Sequence, residues 1–179
     1  MTRPVLAGLA AFIAAFLLAH FLVLGALPGR IMSTVRGQME ERGLPLHHWQ
    51  VSPRVTPETQ TIVRPSPDLA YAICLIDVSA GPVELVVPAW PEYGSLSVFD
   101  AGTDNVYAGS LDARANGATG MRRVIVGLES QELSRFGADA DQVILRKPQA
   151  LALIRRLAPS QAAWEAAAAL IPASRCAPL

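Results

Sequence analysis

The polar residues of this 179-residue chain that could do chemistry lie in two short stretches. Arg64, Asp68 and Tyr71 surround the start of an apolar run, whereas Asp100 and Asn105 flank a turn further along the chain. If these side chains converge at one sheet edge, they could bind a small polar ligand or serve as the acid–base groups of an enzyme. Aspartate and asparagine side chains also bond the backbone of turns, so a structural role is the simpler interpretation.

The three histidines offer little to a catalytic or metal site. His20 lies within an apolar run, and His47 and His48 are adjacent in a proline-containing segment beside Trp49. Adjacent side chains of an extended segment point to opposite sides, which makes a poor pair of metal ligands. The sequence also contains no GxSxG, HExxH, P-loop or GxGxxG motif. We therefore expect no metal ion, no cofactor and no serine triad, and we favour a non-enzymatic protein.

The two cysteines, Cys74 and Cys176, leave two interpretations open. Neither lies in a CxxC pair or near a histidine at metal-ligand spacing, so a zinc site is not expected. In an oxidising compartment they could form a disulfide that fixes the tail of the chain to the domain. The other interpretation is two independent buried thiols.

The charge balance argues against nucleic acid as a partner. The chain has 15 basic and 15 acidic residues, so its formal net charge is zero. Binding to phosphate backbones needs a basic face, and nothing in this composition supplies one.

An N-terminal apolar run predicts a transmembrane anchor over residues 1–29, with the lipid bilayer as its partner. Val5–Leu27 is almost purely apolar and contains no formally charged residue. As a helix it would be about 34 Å long, against a hydrocarbon core of about 30 Å. Pro4 and Pro28-Gly29 bracket the run, at positions where a helix tolerates a start and a stop. A cleaved signal peptide has a shorter apolar region of about 7–15 residues.

The side of the membrane that the domain occupies is indicated by two opposing signals. Only Arg3 and the free amine precede the run, whereas Arg30, Arg36 and Arg42 follow it, and this count favours a cytoplasmic domain. A disulfide would favour an oxidising compartment. We predict a single-pass protein of the bacterial inner membrane with its domain in the periplasm.

Small residues recur along the predicted anchor, and Ala7, Ala11, Ala15 and Ala19 form one narrow stripe. Such a stripe lets a second helix approach closely, so it is a candidate surface for a protein partner. In an alanine-rich chain the same spacing also arises by chance.

Beyond the anchor we predict a helical stalk and linker over residues 30–57 and a β-rich domain over residues 58–179. Within the stalk, Arg30–Arg42 either continues the anchor helix or forms a short amphipathic helix, and it should end at Gly43. Tyr71–Val78 and Val83–Val87, joined by turn residues, predict a hairpin. Gln149–Leu157 fits a strand or a helix, and an alanine-rich helix should follow from Pro159 to about Ile171. Further strands are predicted at Gln60–Arg64, Gly94–Asp100, Asn105–Ala108, Arg122–Val126 and Gln142–Arg146. The fold class is mainly β, an antiparallel sheet or sandwich with some helix.

Residues 64–109 resemble the bacterial family called domain of unknown function 1254. The features that carry the resemblance are Pro67-Asp68 with Tyr71, Asp77-Val78-Ser79-Ala80-Gly81-Pro82, Tyr93–Asp100 and Asn105-Val106-Tyr107, followed by Lys147-Pro148. The chain departs from the longer relatives at Leu69-Ala70, where they have Thr-Leu. In size it is similar to short, single-domain, membrane-anchored members.

The resemblance implies a β-rich, exported domain and one half of a protein pair. The other half is a similarly anchored protein of the type called domain of unknown function 1214. We therefore predict a non-enzymatic module that binds a partner protein through its transmembrane helix or its sheet. The alternative is a small polar ligand-binding protein or an enzyme that uses the Asp, Tyr and Arg group.

Overall fold

A computed structural model describes residues 3–56, 65–113 and 120–179. This described part contains two α-helices and nine β-strands. The helices are α1 (Arg3–Glu41) and α2 (Gln161–Ala169). The strands are β1 (Gln50–Val51), β2 (Leu69–Asp77), β3 (Val83–Pro88), β4 (Gly94–Asp100), β5 (Asn105–Ser110), β6 (Met121–Leu128), β7 (Asp141–Leu145), β8 (Gln149–Leu157) and β9 (Arg175–Pro178). The predicted strand Gln60–Arg64, and with it Arg64, lies outside the described residues.

The strands form two sheets that face each other, which confirms the mainly β prediction. Sheet A has the order β1-β2-β8-β4-β5, and sheet B has the order β7-β6-β3-β9. Every pairing is antiparallel except that of β6 with β7, which is parallel. The connection between β6 and β7 contains two short 3-10 turns, from which Leu133 and Phe136 pack against Ile125 on the outer face of sheet B.

The core between the sheets is built from branched side chains of both sheets together with small ones from sheet A. Sheet A contributes the branched residues Ile76, Leu96, Val98 and Ile154 and the small residues Ala72, Cys74, Ala150 and Ala152, whereas sheet B contributes mostly valine and leucine: Val83, Leu85, Val87, Val124 and Val126. Small residues beside large ones let the side chains of facing sheets interdigitate.

A disulfide between Cys74 and Cys176 links the two sheets. Cys74 lies in the middle of β2, Cys176 lies in β9, and their Cα atoms are 6.7 Å apart. Of the two interpretations of the cysteines, the structure therefore has the disulfide. The bridge is buried, with Cys74 fully enclosed in the core.

The predicted hairpin of β2 with β3 is wrong. β2 pairs with β1 and β8 in sheet A, whereas β3 pairs with β6 and β9 in sheet B. The turn at Ser79–Pro82 carries the chain from one sheet to the other. Such turn residues occur both in hairpins and where a chain passes from one sheet to another. Here β2 and β3 lie in different sheets, and each buries an apolar face in the core between them.

The ambiguous segment Gln149–Leu157 is a strand, β8. It lies between β2 and β4 and pairs along its whole length, so burial and pairing outweigh the helix preference of its alanine and leucine residues. The helix predicted after Pro159 is confirmed as α2, whose first turn is capped by a hydrogen bond from the Ala163 amide to Ser160 Oγ (3.2 Å). Strands β1 and β9 were not predicted.

The N-terminal helix is longer than the apolar run. α1 passes through Pro28 without interruption and ends at Glu41, so residues 30–41 continue the anchor helix, which is one of the two interpretations that the sequence left open. A proline removes one hydrogen bond within a helix and does not by itself end it when later residues find stabilising contacts. The helix is terminated just after Glu41 by Gly43 (φ 82°). The Gly43 and Leu44 amides donate to the backbone oxygens of Glu40 and Met39.

Stabilising contacts for the second half of α1 come from the domain. Met32 and Arg36 are buried, and Arg36 Nη1 donates to the backbone oxygens of Ile76 (3.1 Å) and Ala150 (2.6 Å). By contrast, the large apolar side chains of the first half are exposed. By length and composition α1 is a candidate membrane span.

Candidate functional site

The described residues of the predicted ligand-binding group lie in two separate places. Asp68 and Tyr71 are at the start of β2, and Asp100 and Asn105 are at the far end of β4 and the start of β5. The register aligns Tyr71, through Arg155 of β8, with Ser95 of β4. Asp100 lies five residues further along β4, about 16 Å at the usual rise of a strand. These four side chains therefore do not line one pocket.

Asp100 acts in the turn between β4 and β5. Its Oδ1 atom accepts hydrogen bonds from the amides of Gly102 (2.7 Å) and Asp104 (3.0 Å). Asn105 follows the same turn, and its amide nitrogen is placed to donate to the backbone oxygens of Val98 (3.2 Å) and Tyr107 (2.6 Å). Both side chains therefore hydrogen-bond to nearby backbone groups, a structural role that aspartate and asparagine often have in turns.

Tyr71 and Asp68 shape the entry to β2. The Tyr71 hydroxyl accepts a hydrogen bond from the Ser66 amide (2.8 Å), and the Asp68 backbone oxygen accepts one from the Ala158 amide (2.7 Å). Tyr71 also borders two concave regions. One is an apolar groove of about 380 Å³ on the outer face of sheet A, lined by Ser52, Pro53, Val55, Pro65, Tyr71, Ile73 and Leu153. The other lies beside a buried arginine.

That arginine, Arg156, is 1% exposed and was not among the predicted site residues. It donates from Nη1 to Ala167 O (3.2 Å) and from Nη2 to Pro88 O (3.1 Å), and its Nε has no hydrogen-bond partner. Burial lowers the pKa of Arg156 to about 10, so the side chain is charged at neutral pH. The adjoining cavity is about 10 Å³, the size of one water molecule, which is too small for a metabolite. The sequence signal that could have identified Arg156 is its position within the apolar run Gln149–Leu157.

Two polar clusters outside the predicted group hold strands together. On the outer face of sheet B, the buried Glu84 accepts hydrogen bonds from Arg123 Nε (2.7 Å) and pairs with Arg175 Nη1 (3.2 Å). At the edge where β5 approaches β7, the Tyr107 hydroxyl donates to Asp141 Oδ2 (2.6 Å). Both clusters join side chains from different strands and so hold the strands in place.

Metal-ligating side chains do not gather in the described part of the chain. Across residues 3–56, 65–113 and 120–179, no group of three His, Cys, Asp or Glu side chains could hold a metal ion. His47 Nε2 lies 3.2 Å from the Asp77 amide, and His48 Nδ1 lies 3.1 Å from Leu46 O, so both rings contact backbone.

The surface of α1 offers a different kind of candidate site. Large apolar side chains from Val5 to Leu27 are exposed, for example Phe12 at 68% and Phe21 at 67%. The predicted stripe of Ala7, Ala11, Ala15 and Ala19 lies on this exposed part of the helix. An apolar surface of this length on a water-soluble protein would be costly, whereas lipid or another helix would cover it.

Comparisons with known proteins identify the domain. A family model described as Protein of unknown function (DUF1254) matches residues 46–178. No curated protein matches the sequence. The crystal structure of the VPA0106 protein from Vibrio parahaemolyticus has a TM-score of 0.66 at 19% identity, and the match covers 88% of this chain and 36% of that one. An uncharacterized protein from Burkholderia cenocepacia matches with a TM-score of 0.44 at 16% identity, over 62% of this chain and 32% of that one.

The chain thus spans about a third of the length of the solved structures that it matches. The likeness to the Vibrio parahaemolyticus structure concerns the fold alone, because the two sequences share 19% identity. The family match covers most of the chain and agrees with the motifs between Pro67 and Tyr107. This protein therefore belongs to the DUF1254 family of proteins of unknown function.

Proposed function

We propose that this protein is a non-enzymatic, membrane-anchored module of the periplasm that works together with a second anchored protein. The observation that carries the proposal is the surface of α1, whose large apolar side chains from Val5 to Leu27 are exposed. About 23 residues of helix cross a hydrocarbon core of about 30 Å. The span then holds the β-rich domain at the surface of the bacterial inner membrane.

A periplasmic domain is supported by the disulfide of Cys74 with Cys176. Such bonds form in oxidising compartments and are rare in the cytosol of mesophiles. The arginine count after the anchor favours the other side, but one of the three, Arg36, has a structural reason to be present. Its side chain is buried and donates to Ile76 O and Ala150 O.

A protein partner is supported by the resemblance to short, membrane-anchored members of the family, which implies one half of a protein pair. We infer that the other half is a second anchored chain of the domain of unknown function 1214 type. The alanine stripe of α1 is the surface through which a second helix could approach most closely.

Site-specific photo-crosslinking in native membranes tests the partner. The full chain, with a photoreactive amino acid at Ala11, is co-expressed with an anchored protein of the 1214 type. A matched control carries the same group at Ile13, about 200° around the helix from Ala11. We expect an adduct of the two chains from Ala11 and a much weaker one from Ile13. Equal adducts at both positions, or adducts with lipid alone, would contradict the proposal.

A further inference from the structure

A cavity of about 350 Å³ lies where α1 leaves its apolar run and meets the domain. One wall is the face of α1 from Gly25 to Arg36. The other is formed by Ala101 in the turn between β4 and β5, and by Lys147 and Gln149 at the start of β8. The two walls come near each other at Gly29, where a Cβ atom would lie 3.8 Å from Ala101 O, an ordinary van der Waals distance. We call this space the junction cavity.

Positive charge dominates the junction cavity. Arg30, Arg36 and Lys147 line it, and among the described residues no aspartate or glutamate does. Arg36 is committed to Ile76 O, Ala150 O and an ion pair with Glu40 (3.5 Å). The side chains of Arg30 and Lys147, the only lysine of the sequence, are exposed and make no hydrogen bond or ion pair with another described residue. Two cations are therefore available to an anion.

The position of these cations along α1 indicates which anion would reach them. Arg30 follows Leu27 by three residues, about 4.5 Å along the helix axis. The headgroup region on each side of a bilayer is about 5–8 Å thick. With Val5–Leu27 in the hydrocarbon core, Arg30, which lines the junction cavity, lies at the depth of the lipid phosphates.

We propose that the junction cavity binds the phosphate of an anionic bilayer phospholipid, with Arg30 and Lys147 as its two cationic ligands. A guanidinium donates two parallel hydrogen bonds to phosphate oxygens, and a lysine ammonium adds a point charge. A lipid such as phosphatidylglycerol has no cationic group to repel these side chains, whereas the choline of phosphatidylcholine has one. The proposal rests on anchoring of the chain in a bilayer, as proposed above, and is independent of the partner protein.

Lipid binding by the purified full chain tests the proposal. The protein is reconstituted into nanodiscs of phosphatidylcholine with a minority of phosphatidylglycerol, and the lipids that stay bound after release are measured by native mass spectrometry. We expect the wild type to retain phosphatidylglycerol in preference to phosphatidylcholine. The double variant Arg30→Gln/Lys147→Gln should bind phosphatidylglycerol about 30-fold more weakly. Each cation near a membrane surface strengthens binding to anionic lipid by about fivefold, so the loss of both multiplies to this value.

The matched control is Arg42→Gln/Arg146→Gln, which removes the same net charge from exposed residues outside the junction cavity. It should bind phosphatidylglycerol as the wild type does. An equal loss in both double variants, or no lipid preference in the wild type, would overturn the site. Displacement of the lipid by excess inorganic phosphate would also overturn it, because a soluble anion would then be the ligand. A chain that fails to enter nanodiscs would refute the anchor itself.

Discussion

Arg156 is a cation whose ligands are backbone oxygens. It reaches Ala167 O near the end of α2 and Pro88 O at the end of β3, from a position in β8 that is almost fully buried. A cation at a helix C-terminus is favoured by the partial negative charge of the last carbonyl groups. One side chain of β8 in sheet A thus contacts both α2 and β3 of sheet B. The Arg156 guanidinium also lies 6.0 Å from the centre of the Trp90 ring.

Replacement of Arg156 by alanine should destabilise the protein strongly. Arg156→Ala leaves two buried carbonyl groups without a donor and opens a cavity, so we expect a loss of about 3–5 kcal/mol in the free energy of unfolding. Chemical denaturation of the detergent-solubilised protein measures it. The matched control is Arg155→Ala. Arg155 is the preceding residue, on the opposite face of β8, and its replacement should lower the free energy of unfolding by less than about 1 kcal/mol. Similar losses in the two variants would contradict the role of Arg156.

Tyr107 should make stability depend on alkaline pH. Burial and the hydrogen bond to Asp141 raise the pKa of Tyr107 well above its ordinary value of about 10. The folded protein therefore holds this proton more tightly than the unfolded chain. The stability from the protonated hydroxyl is complete below about pH 10 and is lost as the pH rises above it. Unfolding midpoints from neutral pH upward should fall more steeply for the wild type than for Tyr107→Phe, and parallel curves would exclude this effect.

At the scale of elements, the disulfide crosslinks two sheets whose described strands pair only with strands of their own sheet. It joins β2 in the middle of sheet A to the edge strand β9 of sheet B, across 102 residues of sequence. β9 is only four residues long and pairs with β3 alone. The bond therefore fixes the end of the chain where few other contacts would.

Reduction of the disulfide should lower stability substantially. In the chain-entropy model, a crosslink that closes about 100 residues stabilises a protein by up to about 4.7 kcal/mol. Denaturation with and without reductant measures the difference. The double variant Cys74→Ala/Cys176→Ala should resemble the reduced wild type and should not respond to reductant. An oxidised protein no more stable than this variant would show that β9 is held by its other contacts.

Arg36 should decide whether the second half of α1 stays docked on the domain. Arg36→Met removes two buried hydrogen bonds from a charged group, to Ile76 O and Ala150 O, and we expect a loss of about 2–4 kcal/mol in the free energy of unfolding. The expected result is faster proteolysis between Gly43 and Leu46 and a lower unfolding midpoint. The control, Arg42→Gln, changes an exposed residue and should leave both measurements unchanged. Unchanged proteolysis of Arg36→Met would contradict the docking.

Strands could be located from the sequence, but their partners could not. Tyr71–Val78 and Val83–Val87 are strands because apolar, β-branched runs between turn residues carry a local signal. Pairing is non-local, and the turn at Ser79–Pro82 is equally compatible with a hairpin and with a change of sheet. The short edge strand β9 has no such signal, since Arg175–Pro178 is not alternating in hydrophobicity.

The candidate site shows the same division at the level of side chains. The turn role of Asp100 could be anticipated because aspartate binds nearby amides in many turns. The burial of Arg36 and Arg156 could not, because a sequence does not reveal which carbonyl groups will lie within reach. Likewise, the separation of Tyr71 from Asp100 follows from the register of β2, β8 and β4, which is set by the whole fold.

For the molecule as a whole, the proposed arrangement predicts which compartment contains the C-terminus. Leu179 is exposed beyond β9, so a reporter joined there through a flexible linker should not disturb the fold. Alkaline phosphatase, which needs an oxidising compartment, should be active in this fusion. A green fluorescent protein fusion is the control for the cytoplasm and should be dark. The opposite pattern would move the domain to the cytoplasm.

The disulfide also determines what happens when the chain is cut. A protease that cleaves anywhere between Leu75 and Arg175 leaves two fragments that remain joined through Cys74 and Cys176. The first fragment carries α1, so the second stays attached to the membrane with it. Release of the domain from the membrane would require cleavage between Cys74 and Cys176 together with reduction, or a single cut between α1 and β2. Nicked protein would keep its full mass on a non-reducing gel and separate into two bands only after reduction.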